Sequence, residues 1–303
     1  MTDGSPLDRE KVRLGITPTL WWNDDFPLID AGITFGQCVS EMALAGFEGC
    51  SIGHKYPTDT DLLRRELELR GLQVSEPWAS TYFTIAEMEG HTLDTFHQQL
   101  DLIKSLGGTD MVVAELGAAV HQQPVALFAN RPVLDDRQWD ALTTGLDRLG
   151  RIANEEGMRL CYHHHMGTGV MVHEDVDRLM ESTDPALVHL LLDTGHMAFA
   201  GGDPLAVAEA YGDRVAHVHL KDVRSAVVDR VREEGLSFQD GIEAGVFTVP
   251  GDGDLELAPV LEALGRHDFE GWLVVEAEQD PAKAHPLEHA LMARKFLRDV
   301  LGW

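Results

Sequence analysis

Apolar residues in this chain follow two rhythms. Eight short runs are nearly continuous: Val12–Ile16, Gly49–Ile52, Leu72–Ser75, Met111–Glu115, Met158–His163, Val188–Leu192, Val215–Leu220 and Trp272–Glu276. Four to six residues with little polar content suit a parallel strand covered on both faces. Between them, apolar residues return every three or four positions. Phe35 to Gly46 shows this with Cys38, Val39, Met42, Leu44 and Ala45, and ends at a glycine as helices tend to. Further helices are predicted from Thr58 to Gly71, His91 to Leu106, Asp135 to Gly157, Asp203 to Tyr211, Leu255 to Gly265 and Pro286 to Leu301. Residues 225–245 read as a helical insertion, residues 1–10 as a disordered lead-in, and Glu76 to Tyr82 as a loop. No linker divides residues 11–303.

Strand and helix alternating eight times indicate βαβ units and a parallel sheet. The expected class is α/β, a single (β/α)8 TIM barrel whose site lies at the carboxyl ends of the strands. A doubly wound open sheet is the rival. It is disfavoured because Thr17-Pro-Thr-Leu-Trp21, after the first strand, lacks the Gly-x-Gly-x-x-Gly pattern.

Composition narrows the partners. The chain has 303 residues, 44% of them hydrophobic, enough for a barrel-sized core. A net charge of −27 repels nucleic acid. Three cysteines without metal-ligand spacing suit a reducing compartment. The polar N-terminus lacks a signal-like apolar region, and no run of ~18 apolar residues spans a membrane. A cytoplasmic protein acting on a small molecule is the expectation.

The chemistry gathers where the apolar runs stop. Val188–Leu192 gives way to Asp193, with His196 three residues on. The run from Val215 carries His217 and His219 on one face, Trp272–Val275 leads into Glu276, and the fifth strand meets His163, His164 and His165. Oxygen and imidazole donors at neighbouring strand ends are divalent-metal chemistry. Asp193, His219 and Glu276 are the expected ligands, with one of the three histidines as the fourth. His163 and His165 alternate to the same face, so either can point inward. Without thiolate the set suits Mn²⁺, Co²⁺, Mg²⁺ or Zn²⁺.

Other groups surround this set. His196 either contacts metal surroundings and substrate or caps the next helix. Lys221 either binds a substrate hydroxyl or enolate, or pairs with Asp222. Glu115 and Glu278 are acid/base candidates. Lys55 and Trp78 are expected in the pocket wall, the indole suiting a polyol ring face. Pro250-Gly-Asp-Gly reads as a turn rather than a phosphate nest. The last helix shows an apolar face (Leu291, Phe296, Leu297, Val300) serving as core or as the interface of a homo-oligomer, with core expected.

The longer motifs carry a resemblance. HHHMGTGV (163–170), DPALVHLLLDTGHMA (184–198), HVHLKDVR (217–224), FTVPGDGDL (247–255), GWLVVEAEQDP (271–281) and PLEHALMAR (286–294), with WWNDDFP (21–27), resemble the inosose dehydratases of inositol catabolism. These belong to the xylose isomerase-like barrel superfamily. The resemblance implies dehydration of 2-keto-myo-inositol to 3,5/4-trihydroxycyclohexane-1,2-dione with Mn²⁺ or Co²⁺, and a benefit from glutathione. It places Asp193, His219 and Glu276 on ligand positions, and His163 where the superfamily usually has a glutamate. Glu278, Glu115 or His165 would then protonate the leaving hydroxyl. An isomerase or epimerase shares the first half of that reaction and is the alternative. Ser51-Ile52-Gly53 and Glu76-Pro77-Trp78-Ala79 depart from the relatives' pattern, in the half expected to face substrate.

Overall fold

The computed structural model describes residues 5–303. Its strands are β1 (Val12–Ile16), β2 (Gly49–Cys50), β3 (Gln73–Val74), β4 (Trp78–Thr81), β5 (Asp110–Glu115), β6 (Arg159–His163), β7 (Val188–Asp193), β8 (Val215–Leu220), β9 (Asp222–Val223), β10 (Phe247–Thr248) and β11 (Gly271–Val275). The helices are α1 (Phe35–Ala45), α2 (Thr60–Glu68), α3 (Glu89–Ser105), α4 (Asp136–Glu155), α5 (His173–Ser182), α6 (Thr194–Ala200), α7 (Pro204–Tyr211), α8 (Ser225–Glu234), α9 (Phe238–Glu243), α10 (Leu257–Arg266) and α11 (Pro286–Leu301).

Nine strands form one curled parallel sheet in the order β3-β2-β1-β11-β8-β7-β6-β5-β4, and β9 and β10 pair separately. The outer members of that order are the two pieces of the third barrel strand. β3 pairs with β2 and β4 pairs with β5, so the barrel closes through a strand broken at Ser75–Pro77. Proline has no N–H to give the ladder, and the chain steps aside there. The expected loop from Glu76 to Tyr82 is therefore a strand over four of its residues. With that split, the eight expected strands are all present, and the (β/α)8 barrel stands.

One local irregularity aims the site. β7 and β8 pair Leu190 with Val215 but Leu191 with His217, so Ala216 is an extra residue on β8. This bulge brings Asp193 into register with His219, both facing inward. An unbroken ladder would set Asp193 opposite Val218.

Some segments differ from expectation. Residues 5–10 are not a disordered lead-in. Leu7 is buried in the core, and the Ser5 Oγ accepts a hydrogen bond from Trp303 Nε1 at 3.2 Å. Residues 1–4 lie outside the described part. α5 and α6 were not expected, although Val176, Leu179 and Met180 are buried along one face of α5. The insertion at 225–245 holds α8 and α9. With the loop after β5 it builds a second apolar cluster at the rim, including Leu127, Phe199, Phe238 and Phe247. On α11, Leu297 is buried and Phe296 and Val300 pack on the core, whereas Leu291 is exposed. The glycine turn at 250–254 wraps the Asp222 carboxylate, which accepts backbone N–H bonds from Gly251, Gly253 and Leu255. That nest is filled by the chain itself. Among the described residues, no helix is long and apolar enough to cross a membrane.

Candidate metal centre and active site

β6, β7, β8 and β11 lie side by side and deliver His163, Asp193, His219 and Glu276 to one point at the rim. All four are buried. His163 Nε2 lies 3.3 Å from Asp193 Oδ2, and His219 Nδ1 lies 3.6 Å from the same oxygen. His219 Nδ1 is also 2.6 Å from Glu276 Oε2, yet neither atom has an aligned hydrogen-bond partner. Buried polar atoms left without partners are costly unless something else engages them. Ligand atoms about 3 Å apart match those sharing one ion at ~2.1 Å. The residues present therefore fit a divalent cation.

Lys221 completes the electrostatics. Its ammonium is wholly buried, 2.9 Å from Glu278, 3.2 Å from Glu276 and 3.4 Å from Asp193. Burial alone would lower its pKa, but Asp193, Glu276 and Glu278 together push it up. Lys221 is a fixed cation, and the alternative of a surface pair with Asp222 is not found. Burial would raise the pKa of Asp193, but the Lys221 ammonium and the surrounding histidines hold it well below the carboxylate range. Glu278 is pushed up to about 8, chiefly by burial, with Glu276 adding to the Lys221-opposed effect. A glycine makes room for this arrangement: a Cβ on Gly195 would lie 2.5 Å from Lys221 Cγ. That accounts for glycine in Asp193-Thr-Gly-His196.

His165 and His196 form a second group with Glu278. His165 Nδ1 is 2.9 Å from the Met166 carbonyl, which it meets as a donor, leaving Nε2 as the acceptor of a neutral ring. Burial first, then His121, His163 and Lys221, drives its pKa well below the ordinary value. His196 Nε2 sits 2.9 Å from Lys221 Nζ, and burial likewise keeps it neutral. Phe238 and Phe247 from the rim cluster lie against these rings, and Lys221 Nζ is 4.5 Å from the Phe247 centroid.

A cavity of about 370 Å³ opens onto the centre, a volume in keeping with a small-molecule site. Thr17, Asn23, Ser51, His54, Glu76 and Trp78 form much of its wall opposite His163, His165, His219, Glu276 and Glu278. Trp78 is there as expected, 38% exposed. Lys55 is not. Its ammonium is held by Asp30 at 2.7 Å and the Ile33 carbonyl at 3.1 Å, and the neighbouring His54 lines the cavity instead.

Glu115 is also displaced from the expected role. Its carboxylate accepts from Thr81 Oγ1, Phe83 N, Thr84 N, Thr84 Oγ1 and Gly117 N, at 2.7 to 3.2 Å. It ties two loops together and does not line the cavity. Sequence reasoning missed Glu76, which faces both His217 and His219 across the barrel. It also missed His121, whose ring lies 4.9 Å from that of His165. Glu76 ends an apolar strand as Asp193 and Glu276 do, and that signal was available.

Fold and rim chemistry together define a class: the model of the xylose isomerase-like TIM barrel family matches residues 39–300. The inosose dehydratase of Geobacillus thermodenitrificans is 50% identical over 96% of this chain and 98% of its own length. That of Clostridium tetani is 45% identical over 97% and 98%. The chain belongs to the inosose dehydratases, hydro-lyases built on that barrel. Among solved structures, the IolI protein with a bound zinc atom covers 96% of this chain and 98% of its own, with a TM-score of 0.70 at 17% identity. A probable 3-DHS dehydratase, AsbF from Bacillus anthracis, covers 94% and 98% with a TM-score of 0.71 at 14% identity. At such identities the likeness is one of fold.

Proposed function

We propose that this protein is a metal-dependent dehydratase that removes water from 2-keto-myo-inositol (scyllo-inosose) to give 3,5/4-trihydroxycyclohexane-1,2-dione. The observation that carries this reading is the buried His163–Asp193–His219–Glu276 set, with a nitrogen and an oxygen that lack aligned hydrogen bonds, opening onto a polar cavity. Those four residues would hold Mn²⁺ or Co²⁺, with Mg²⁺ or Zn²⁺ also compatible with the donors. When bound, the ion supplies Lewis acidity at the ketone and the neighbouring hydroxyl.

The remaining chemistry belongs to side chains. His165 offers a neutral Nε2, fixed by the Met166 carbonyl, to take the proton from the carbon next to the ketone. Glu278, whose raised pKa leaves it protonated at neutral pH, gives its proton to the departing β-hydroxyl. Lys221 and His196 hold Glu278 and its surroundings in place. Trp78 offers an indole edge to the ring, while Asn23, Ser51 and His54 offer polar contacts to its hydroxyls. Glutathione remains an implication of the family alone. A cytoplasmic location is part of the same proposal, and three buried free thiols support it.

The test is to incubate metal-reconstituted protein with scyllo-inosose and follow absorbance of the conjugated enol product, with a chelator control. Chelator-sensitive growth is expected. Consumption without new absorbance would replace the dehydratase by an isomerase, and no consumption would overturn the substrate.

A further inference from the structure

Beneath the metal set, a line of buried polar groups crosses the barrel. Arg159 clasps Asp110 through Nε and Nη2 at 2.8 and 2.9 Å. Asp110 Oδ2 lies 2.9 Å from His217 Nδ1. His217 Nε2 faces Glu76 Oε2 at 3.3 Å, and Glu76 Oε1 lies 3.2 Å from His219 Nε2. Asp110, His217 and Glu76 are all at most 3% exposed. The line ends on the ring whose other nitrogen faces Asp193 and Glu276.

An imidazole binds metal through only one nitrogen, and the hydrogen bond on the other decides which one is free. A carboxylate on Nε2 commits that atom to carry the proton. We propose that Glu76 is a positioning residue for the metal-ligand histidine. Its Oε1 accepts the Nε2–H of His219, so that Nδ1 presents its lone pair to the site. His217, anchored by Asp110 and Arg159, flanks the other Glu76 oxygen at 3.3 Å on the side away from the cavity, a charge contact without an aligned hydrogen bond. This rests on the metal reading above and adds a residue outside the four ligands. The placement also joins two tasks, since Glu76 sits beside Trp78 in the cavity wall and at the break in the third strand.

The test compares Co²⁺ binding and the Co²⁺ ligand-field spectrum in the full chain, as wild type, Glu76→Asp and Glu76→Gln. Aspartate keeps the charge but withdraws the oxygen by about 1.5 Å. Glutamine keeps the reach and an acceptor oxygen but loses the charge. The proposal expects Glu76→Asp to weaken Co²⁺ by about 10–100-fold and shift the spectrum, with one ion still bound per chain. Glu76→Gln should stay within a few-fold of wild type with the wild-type spectrum. Unchanged binding in both variants would overturn it. So would loss in Glu76→Gln but not Glu76→Asp, which would make charge the operative property, or loss of a whole ion per chain, which would make Glu76 a ligand. A wild-type protein that binds no Co²⁺ would instead sink the metal reading itself.

Discussion

Replacing Glu115 with glutamine should unfold the protein earlier and leave its chemistry alone. The carboxylate is 1% exposed and serves five donors from Thr81, Phe83, Thr84 and Gly117. If the amide oxygen takes the place of Oε1, both Thr84 bonds and the Gly117 bond survive without their ionic reinforcement. That weakening costs roughly 1 kcal/mol or less for each. The Thr81 hydroxyl can rotate to accept from the new amide, but the Phe83 N–H then faces an NH₂ group. One buried unsatisfied donor costs about 1–3 kcal/mol. The total is about 2–5 kcal/mol, or a melting temperature lower by roughly 3–8 °C for a chain of this size. Thermal melting followed by circular dichroism at one scan rate measures the first quantity, and steady-state kcat at 25 °C the second. We expect kcat within about twofold of wild type in the folded protein. A melting temperature that hardly moves, with kcat down by the ~10²-fold or more that losing a general acid brings, would refute the reasoning.

Gly195→Ala should drive a Cβ into the Lys221 side chain and push its ammonium off Glu278. We expect kcat to fall by about 10²-fold while Co²⁺ affinity stays near wild type. An unchanged kcat would show that Lys221 tolerates displacement. Acid should weaken the metal-free protein between pH 6.5 and 5. His164, wholly buried and shifted down to about 3 by burial and then His163, stays neutral when folded but takes a proton when unfolded. The unfolded state thus binds more protons as pH falls below 6.5, which costs about 2 kcal/mol by pH 5. His165 and His196, also held neutral by burial, weaken the fold in the same direction, whereas Glu278, protonated when folded and ionised when unfolded over this range, offsets one such contribution. His217 and His219, whose pKa values are raised, contribute a constant amount below 6.5. Urea unfolding at the two pH values checks it, and equal stabilities would count against buried histidines that stay neutral in the folded protein.

The barrel was legible because its strands are buried on both faces and so read as short apolar blocks. The rim cluster was legible because Asp193, His219 and Glu276 each interrupt or end such a block. What stayed hidden depends on three-dimensional register. Trp78–Thr81 pairs with β5, but Pro77 and the polar Ser80 and Thr81 make it look like loop. The bulge at Ala216 leaves no mark in a run that reads Val-Ala-His-Val-His-Leu. Glu115 and Glu278 look alike in sequence, each close to a strand end. Only the packed loops show that one is saturated by backbone and hydroxyl donors while the other meets an ammonium. Lys55 was misplaced by a single residue, because the turn after β2 sends His54 to the cavity and Lys55 to Asp30.

The four metal-set residues all come from neighbouring strands, and in sequence they fall between 163 and 276. The opposite cavity wall, from Thr17 to Trp78, comes from the other end of the chain. On the proposed function, the molecule is thus a composite of two half-barrels with separate duties, one carrying the reactive centre and one choosing what reaches it. A graft exchanging the first half with that of another barrel should alter which polyol is accepted while leaving the centre whole. Glu76 is the point where the seam must match, since it is contributed by the selecting half and grips a histidine of the reacting one.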